Sequence, residues 1–357
     1  MSQESQGIEP REIALDQSIT GKLSYNARIV KASDQALNHA TRIIKFHTRE
    51  PALQAYQSGF YQIYFLKLRS GPTGHDIVRG EYNSMKALSD VVPYLVPKPV
   101  AWGTLHQNQN LHFFITHFID LDQQVINTRR LAAALADLHR RSVAPGAKFG
   151  FHVSTFVGHI AQNNRRTDTW EEYFSNDFLQ LLDMYKSLHG PFDASTTKLS
   201  LLMVLKVIPR LLRPMEANGH SITPVLLHGN LTLSNAYTSL KTHGPIIYSA
   251  SALYGHHEYD IRNLVLGKNG AEFLEAYEKL VPASEPKEDF EDRVALYGLK
   301  SLMHESCLHP KNKESAQDVV ERMKTLVDKF PEGYEANADE GGKCKAAQKR
   351  DGVVDEN

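Results

Sequence analysis

The chain has 357 residues, 41% of them hydrophobic and 23% charged, and a formal net charge of -1. Its length predicts two domains or one large bilobal domain, and a charge so near zero argues against a nucleic-acid partner. No run approaches the roughly 20 apolar residues of a membrane span. The polar N-terminus lacks a signal-peptide core and only Cys307 and Cys344 are present, which predicts a cytoplasmic protein without disulfides.

The first third of the chain is predicted to be rich in strands. Residues 1–22 read as a polar leader with one short helix. β-Branched and aromatic residues predict strands over 41–46, 61–68, 100–103 and 111–116. Glycine and proline within 71–74 predict a break in the chain. Apolar residues at helical spacing then predict an amphipathic helix over 78–88.

The rest of the chain has the periodicity of helices. Helical patterns cover 129–141, 170–188, 199–215 and 261–330, and prolines interrupt the third of these. Short strands are predicted just before His228 and at 244–248. Residues 332–357 are polar and are predicted to form a flexible tail. The sequence therefore predicts an α+β fold with a strand-rich small lobe at 23–119 and a helical lobe at 120–331.

One stretch carries the strongest functional signal. Residues 225–235 read VLLHGNLTLSN, so a buried strand would rise into a tight turn and bring Asn230 and Asn235 to the mouth of a pocket. This pattern resembles the catalytic loop H-G-D-x-x-x-x-N of the aminoglycoside-phosphotransferase and fructosamine-3-kinase branch of the kinase fold. The resemblance implies that the Asp position accepts the substrate hydroxyl proton and that Asn235 holds magnesium.

The resemblance to the fructosamine-3-kinase family extends over roughly residues 36–310 and is strongest to fungal members. Tyr-Phe-Leu-Lys ending at Lys67 resembles the strand whose lysine binds nucleotide phosphates, and the next helix carries Glu81, which would pair with that lysine. Residues 254–260 read YGHHEYD and resemble the family's Y-G-H-x-E-x-D. In this alignment Asp260 would bond the backbone of the catalytic loop. The resemblance implies a bilobal, protein-kinase-like fold with ATP and magnesium as cofactors.

Three departures from the family pattern oppose ordinary phosphotransfer. Asn230 occupies the position of the Asp, and an amide cannot accept a proton at neutral pH. Ser249 falls where the metal-binding Asp is expected, and a hydroxyl is a poor magnesium ligand compared with a carboxylate. No glycine lies between Gly21 and Gly59, the region in which the family has its phosphate loop. These departures argue against the use of both ATP and magnesium.

Two hypotheses follow. In the first, the phosphotransfer centre is dismantled, and the interlobe cleft binds a small molecule in a pseudokinase or a repurposed catalyst, with a protein partner also compatible. In the second, the chain is an active ATP-dependent ketosamine 3-kinase. That activity would require another carboxylate, Glu258 or Asp260, to take over the metal.

Overall fold

The computed structural model describes residues 16–23, 28–38, 41–49, 61–122, 124, 126–144 and 146–334. The described residues group into two compact units. One unit comprises the residues up to Leu181 together with Ile222–Ala283, and the other comprises Leu182–Ser221 and the residues from Ser284 onward. The lobe boundaries expected from the sequence stay predictions.

The first unit begins with a short helix and an antiparallel sheet. In chain order its elements are α1 (Gln17–Thr20), β1 (Arg28–Asn38), β2 (Thr41–Arg49), β3 (Tyr61–Ser70), α2 (Gly74–Val91), β4 (Pro99–Thr104) and β5 (Leu111–His117). The strand order is β1-β2-β3-β5-β4. Four of these strands were predicted, and β1 is an addition. Because β1 ends at Asn38 and β2 starts at Thr41, only residues 39 and 40 connect them, and neither is glycine.

Apolar residues of the central strands form a core with the end of the predicted leader. Ile19 of α1 is buried together with Leu66 and Leu68 of β3 and with Phe113 and Ile115 of β5. In β3 the side chains alternate between the two faces of the sheet, so Lys67 lies on the opposite face from Leu66 and Leu68. This alternation places Lys67 on the face of the sheet that does not contribute to this core.

Helix α2 begins four residues earlier than predicted. The glycine and proline that suggested a break precede the helix, and Gly74 is its first residue. A Cβ at Gly74 would lie 2.9 Å from the His112 ring, so this position needs a residue without a side chain. Glycine is tolerated there because the end of a helix costs less conformational freedom than its interior.

The remaining elements complete both units. In chain order they are β6 (Leu121–Asp122), α3 (Thr128–Arg141), β7 (Phe156–Val157), β8 (Ile160–Ala161), α4 (Trp170–His189), α5 (Ala194–Leu202), α6 (Ile208–Leu212), β9 (Val225–Leu227), β10 (Ala236–Ser239), β11 (Pro245–Ile247), β12 (Leu253–Gly255), α7 (His257–Val265), α8 (Gly270–Glu278), α9 (Phe290–Leu308) and α10 (Lys313–Lys329). Among the described residues, no helix combines the length and apolar character needed to cross a bilayer.

The single helix predicted at 199–215 is broken into several pieces. A π-helical turn, Met203–Val207, separates α5 from α6. Pro209 is the second residue of α6 and lies directly after this π-helical turn. The helix also starts earlier than predicted, because the Asp193 carboxylate accepts a hydrogen bond from the Thr196 N–H at 2.6 Å and caps it.

Candidate functional site

The loop after β9 is shaped by one glycine. Gly229 has φ +79, and a Cβ there would lie 2.1 Å from the Ser251 carbonyl oxygen. Only glycine meets both conditions without displacing the backbone. The turn therefore brings the residues after Gly229 against the segment that follows β11. Asn230 is the first of them.

Asp260, the fourth residue of α7, holds this loop from beneath. Its carboxylate accepts hydrogen bonds from the backbone N–H groups of His228 and Gly229, each at 2.8 Å, and from Nε2 of His139 at 3.3 Å. Burial by itself raises the pKa of Asp260, but these hydrogen bonds and the neighbouring His139 and His228 outweigh it and lower the pKa below its usual value. The predicted structural role of Asp260 is confirmed.

His228 is part of the same frame. Its Nε2 donates to the Tyr248 carbonyl at 3.1 Å, and its Nδ1 accepts from the Asn230 N–H at 3.3 Å. One ring nitrogen thus donates and the other accepts, which is the pattern of a neutral imidazole. Burial lowers the pKa of His228 and stabilises that neutral form. The histidine supports the loop, with neither ring nitrogen left to act as a base.

The two asparagines of the motif lie together. Asn235 donates from Nδ2 to the Asn230 carbonyl at 2.6 Å, and its Oδ1 accepts from the Thr232 N–H at 3.0 Å. The Asn230 side chain points across to the next segment, where its Nδ2 lies 3.4 Å from the Ser249 carbonyl. Asn235 is therefore engaged in closing its own loop, and one lone pair of its Oδ1 is left for a ligand.

Lys67 and Glu81 form the ion pair that the resemblance predicts. The Lys67 Nζ lies 2.7 Å and 2.9 Å from the two carboxylate oxygens of Glu81. Both side chains are only 11% exposed, so solvent screens the pair far less than a surface ion pair. The same Nζ lies 3.4 Å from the Ser249 hydroxyl. Strand β3, helix α2 and the segment after β11 meet at this lysine.

Ser249 has a backbone conformation that the sequence did not indicate. Its φ is +60, in the left-handed region, where asparagine and aspartate are several-fold enriched among residues with a side chain. The serine thus occupies a backbone position well suited to aspartate. We call Lys67, Glu81, Asn230, Asn235 and Ser249 the kinase-like site.

Two supporting residues were missed in the sequence. Ser84 of α2 accepts a hydrogen bond from the Ala252 N–H at 2.9 Å and donates to the Gly80 carbonyl at 2.7 Å. It therefore ties the helix of Glu81 to the segment of Ser249. Arg262 of α7 donates to the Gly229 carbonyl at 3.3 Å. A serine or an arginine inside a helical pattern has no motif that would have revealed either bond.

The donor atoms of the kinase-like site fit magnesium poorly. Glu81 is engaged by Lys67, and Asn235 and Ser249 offer only neutral oxygens. The carboxylates proposed as replacements, Glu258 and Asp260, are both fully buried, and Asp260 is committed to the loop backbone. Magnesium is usually held through one or two carboxylates, so the kinase-like site as described provides no ordinary set of ligands for it.

The histidine pair of the YGHHEYD run lies in a polar cluster beside Asp260. Ligand atoms of His256, His257 and Glu258 lie within 4.8 Å of one another. His257 Nδ1 is 3.3 Å from the Tyr277 hydroxyl, which in turn lies 2.6 Å from Nδ1 of His139. These contacts join the run to the residues that support the loop, in agreement with a structural role.

Two features define a protein of the kinase-like class. The first is a small antiparallel sheet whose lysine pairs with a glutamate of the next helix. The second is a later loop whose backbone is bonded to a buried aspartate. A fructosamine-3-kinase candidate from Haemophilus somnus has a similar solved structure, with a TM-score of 0.69, 18% identity, and coverage of 87% of this chain and 96% of that one. An aminoglycoside phosphotransferase APH(4)-Ia mutant in a ternary complex with ADP and hygromycin B is similar at a TM-score of 0.56 and 14% identity, over 88% of this chain and 98% of that one. The predicted α+β, bilobal kinase-like fold is confirmed.

Comparison with related sequences identifies the family within this kinase-like class. The fructosamine kinase family model matches residues 27–326, so the chain belongs to the fructosamine kinase family. It is 27% identical to the ketosamine-3-kinase of Mus musculus over 66% of this chain and 79% of that protein. It is 26% identical to a chloroplastic protein-ribulosamine 3-kinase of Oryza sativa over 72% of this chain and 71% of that protein.

Proposed function

We propose that this protein binds a nucleotide through Lys67 but transfers its phosphoryl group far more slowly than a working kinase, as a pseudokinase of the fructosamine kinase family. The observation that carries the proposal is the surroundings of the Lys67 Nζ, which has Glu81 at 2.7 Å and the neutral hydroxyl of Ser249 at 3.4 Å. Lys67 thus has the partner expected of a phosphate-binding lysine, whereas Ser249, at the position of the family's metal-binding Asp, carries no negative charge.

The neutral atoms at the reacting positions supply the chemical argument. Phosphoryl transfer depends on positioning and on metal ions that neutralise the developing charge. The amide of Asn230 cannot accept the proton of an attacking hydroxyl. Loss of a positioned acid–base group costs roughly 10²–10⁴-fold in rate. Loss of the metal carboxylate removes further charge stabilisation, so slow transfer or none is expected.

Nucleotide binding is tested by calorimetric titration of the full chain with ATP, once with Mg²⁺ and once with EDTA. We expect saturable binding with similar Kd in both buffers, because in this proposal Lys67 holds the phosphates and Glu81, the carboxylate of the kinase-like site, is paired with Lys67. In a thermal-shift assay at 100 times Kd, ATP would stabilise the fold by about 2.7 kcal/mol. Absence of binding would refute both a nucleotide-binding pseudokinase and a kinase.

The second candidate function is an active ketosamine 3-kinase, which the names of the mouse and rice relatives favour. Incubation with ATP, magnesium and a fructosamine substrate, followed by detection of the 3-phosphate, separates the two functions. Turnover within about tenfold of a family member assayed in parallel would refute the pseudokinase. For either function we propose a cytoplasmic protein with a small-molecule ligand beside Lys67.

A further inference from the structure

A concavity apart from the kinase-like site lies in the first unit, lined by residues between α3 and α4 and by Gln180 of α4. It has a volume of about 400 Å³, within the range of small-molecule pockets, and no residue of the kinase-like site lines it. His152, Arg165 and Gln180 contribute exposed polar side chains, whereas Gln162 is a buried lining residue. The pocket is therefore polar, with two buried amides, Gln162 and Asn164, in its lining.

Gln162 has one unused hydrogen-bonding atom. Its Nε2 donates to the Ser251 carbonyl at 2.8 Å and to the Thr155 hydroxyl at 3.0 Å. A carbonyl can only accept, so this contact fixes which end of the amide is nitrogen. The Oε1 of Gln162 is buried and has no donor within the described part of the chain. A buried acceptor without a partner is costly, and its environment calls for a donor.

The neighbouring side chains cannot provide that donor. The Thr155 hydroxyl donates to the Ala252 carbonyl at 3.3 Å and accepts from Nδ2 of Asn164 at 2.6 Å. The second N–H of the Asn164 amide donates to a backbone carbonyl at 2.9 Å, and its Oδ1 accepts from the Tyr173 hydroxyl at 3.2 Å. Each of these groups would lose a bond by turning toward Gln162. The missing donor has to come from outside this network, from a buried water or from a bound ligand.

The charge on the lining side chains is positive, although the buried carboxylate of Asp177 accepts a hydrogen bond from the N–H of the lining residue Asn163 at 2.6 Å. Among its described lining residues none is acidic, and Arg165 is exposed and makes no ion pair with any described residue. Burial, and then the positive charges of Arg166 and Arg79, lower the pKa of His152. An anionic group near Arg165 would gain from this potential, since a guanidinium is well suited to carboxylate and phosphate oxygens.

We propose that this pocket binds a small hydroxylated anion, a sugar phosphate or sugar acid, whose hydroxyl donates to Gln162 Oε1 and whose anionic group lies against Arg165. The same amide of Gln162 holds the carbonyl of Ser251, two residues after Ser249. Bound ligand thus stabilises the segment that contributes Ser249 to the kinase-like site. The site is independent of the proposed function, because none of its contacts involves a nucleotide.

Calorimetry on the full chain tests the ligand chemistry with glucose 6-phosphate and gluconate as probes. Glucose and inorganic phosphate serve as the two separate halves of the first probe. We expect saturable binding of at least one anionic sugar, with glucose and phosphate each weaker by about tenfold or more, since each forfeits one of the two contacts. The anionic probe that binds more tightly shows whether the pocket prefers a phosphate or a carboxylate. Failure of both anionic probes to bind would overturn the proposal.

Variants test the location. Arg165→Gln removes an exposed charge without disturbing the core, and we expect the Kd of the bound probe to rise roughly tenfold. Arg140→Gln on α3, also exposed, is the matched control and should leave the Kd unchanged. Lys67→Met should leave it unchanged as well. If Lys67→Met abolishes binding and Arg165→Gln does not, the probe occupies the kinase-like site and the proposal is wrong.

Hydrogen–deuterium exchange provides a readout of the Gln162 contact. With the probe bound, amides of residues 251–253 and 162–164 should exchange several-fold more slowly, because the ligand and the Ser251 carbonyl share one side chain. Gln162→Glu, which places a negative charge at the buried position, should abolish binding of either anion. Unaltered exchange together with unaltered binding in Gln162→Glu would overturn the assignment of Gln162.

Discussion

The two halves of the kinase-like site differ in charge. On the side of β3 and α2, Lys67 and Glu81 retain opposite charges at 2.7 Å and are largely shielded from water. On the side of the loop after β9, Asn230 and Ser249 are neutral. The frame beneath the neutral half nevertheless includes a fully buried carboxylate, Asp260, bonded to two backbone N–H groups.

The residues that shape the loop after β9 differ from those at the reacting positions 230 and 249. The loop keeps its form through backbone hydrogen bonds to Asp260 and through the glycine at 229, and neither depends on the side chains at 230 and 249. Substituting a reacting residue therefore leaves the loop intact. The geometry of the loop and the chemistry of the side chains at 230 and 249 thus depend on different atoms.

Placing carboxylates at positions 230 and 249 should have the largest effect. The double substitution Asn230→Asp with Ser249→Asp should raise the rate of phosphotransfer from Mg-ATP to a fructosamine by 10²-fold or more, on the scale of one recovered acid–base group. The left-handed backbone at Ser249 accommodates aspartate. Each single variant serves as a control and should recover less. A wild-type rate equal to that of the double variant would show that the neutral half was already competent.

Removing the Asp260 carboxylate should destabilise the folded protein. Asp260→Ala leaves the N–H groups of His228 and Gly229 buried without an acceptor, so we expect the free energy of unfolding to fall by about 3 kcal/mol or more. Urea denaturation monitored by circular dichroism measures it. Asp183→Ala, at an exposed aspartate, is the control and should change stability by less than about 1 kcal/mol. Equal losses in the two variants would contradict the assignment of Asp260.

The charged half is tested by Lys67→Met. Loss of charge-assisted hydrogen bonds to phosphate, worth about 1.5–3 kcal/mol, should raise the Kd for ATP roughly 10–100-fold. Lys241→Met, at an exposed lysine, provides the matched control. Because the substitution also leaves Glu81 without its partner, a thermal melt in the absence of ATP has to confirm that the variant is folded. An unchanged Kd in folded Lys67→Met would place the phosphates elsewhere.

The smallest expected effect is a pH dependence from His228. Its pKa is lowered in the folded protein by burial, so the unfolded chain binds the proton more readily. Stability should therefore decrease as the pH falls below the ordinary histidine value of about 6.5, by up to about 1.4 kcal/mol per pH unit. Unfolding at pH 7.5, 6.5 and 5.5 measures the slope. His228→Gln should flatten it and the exposed control His220→Gln should not; the reverse result would exclude His228 as the source.

The family, most strands and helices, the pairing of Lys67 with Glu81, and the neutral residues at 230 and 249 could all be predicted from the sequence. These follow from local pattern and from residue identity, which a motif displays directly. The missed features have other causes. Strand β1 was not recognised, and α2 began within a glycine–proline run that ordinarily ends an element.

The burial of the carboxylates and the absence of a partner for some polar atoms depend on how the chain folds. Glu258 and Asp260, the carboxylates that an active kinase would require at the metal, are both fully buried, and Asp260 is bonded to the loop backbone. The left-handed φ of Ser249 and the unused oxygen of Gln162 depend on the path of the folded chain, for Gln162 contacts Ser251 across 89 residues. Burial and hydrogen-bond satisfaction are properties of distant segments meeting in space, and a linear pattern does not contain them.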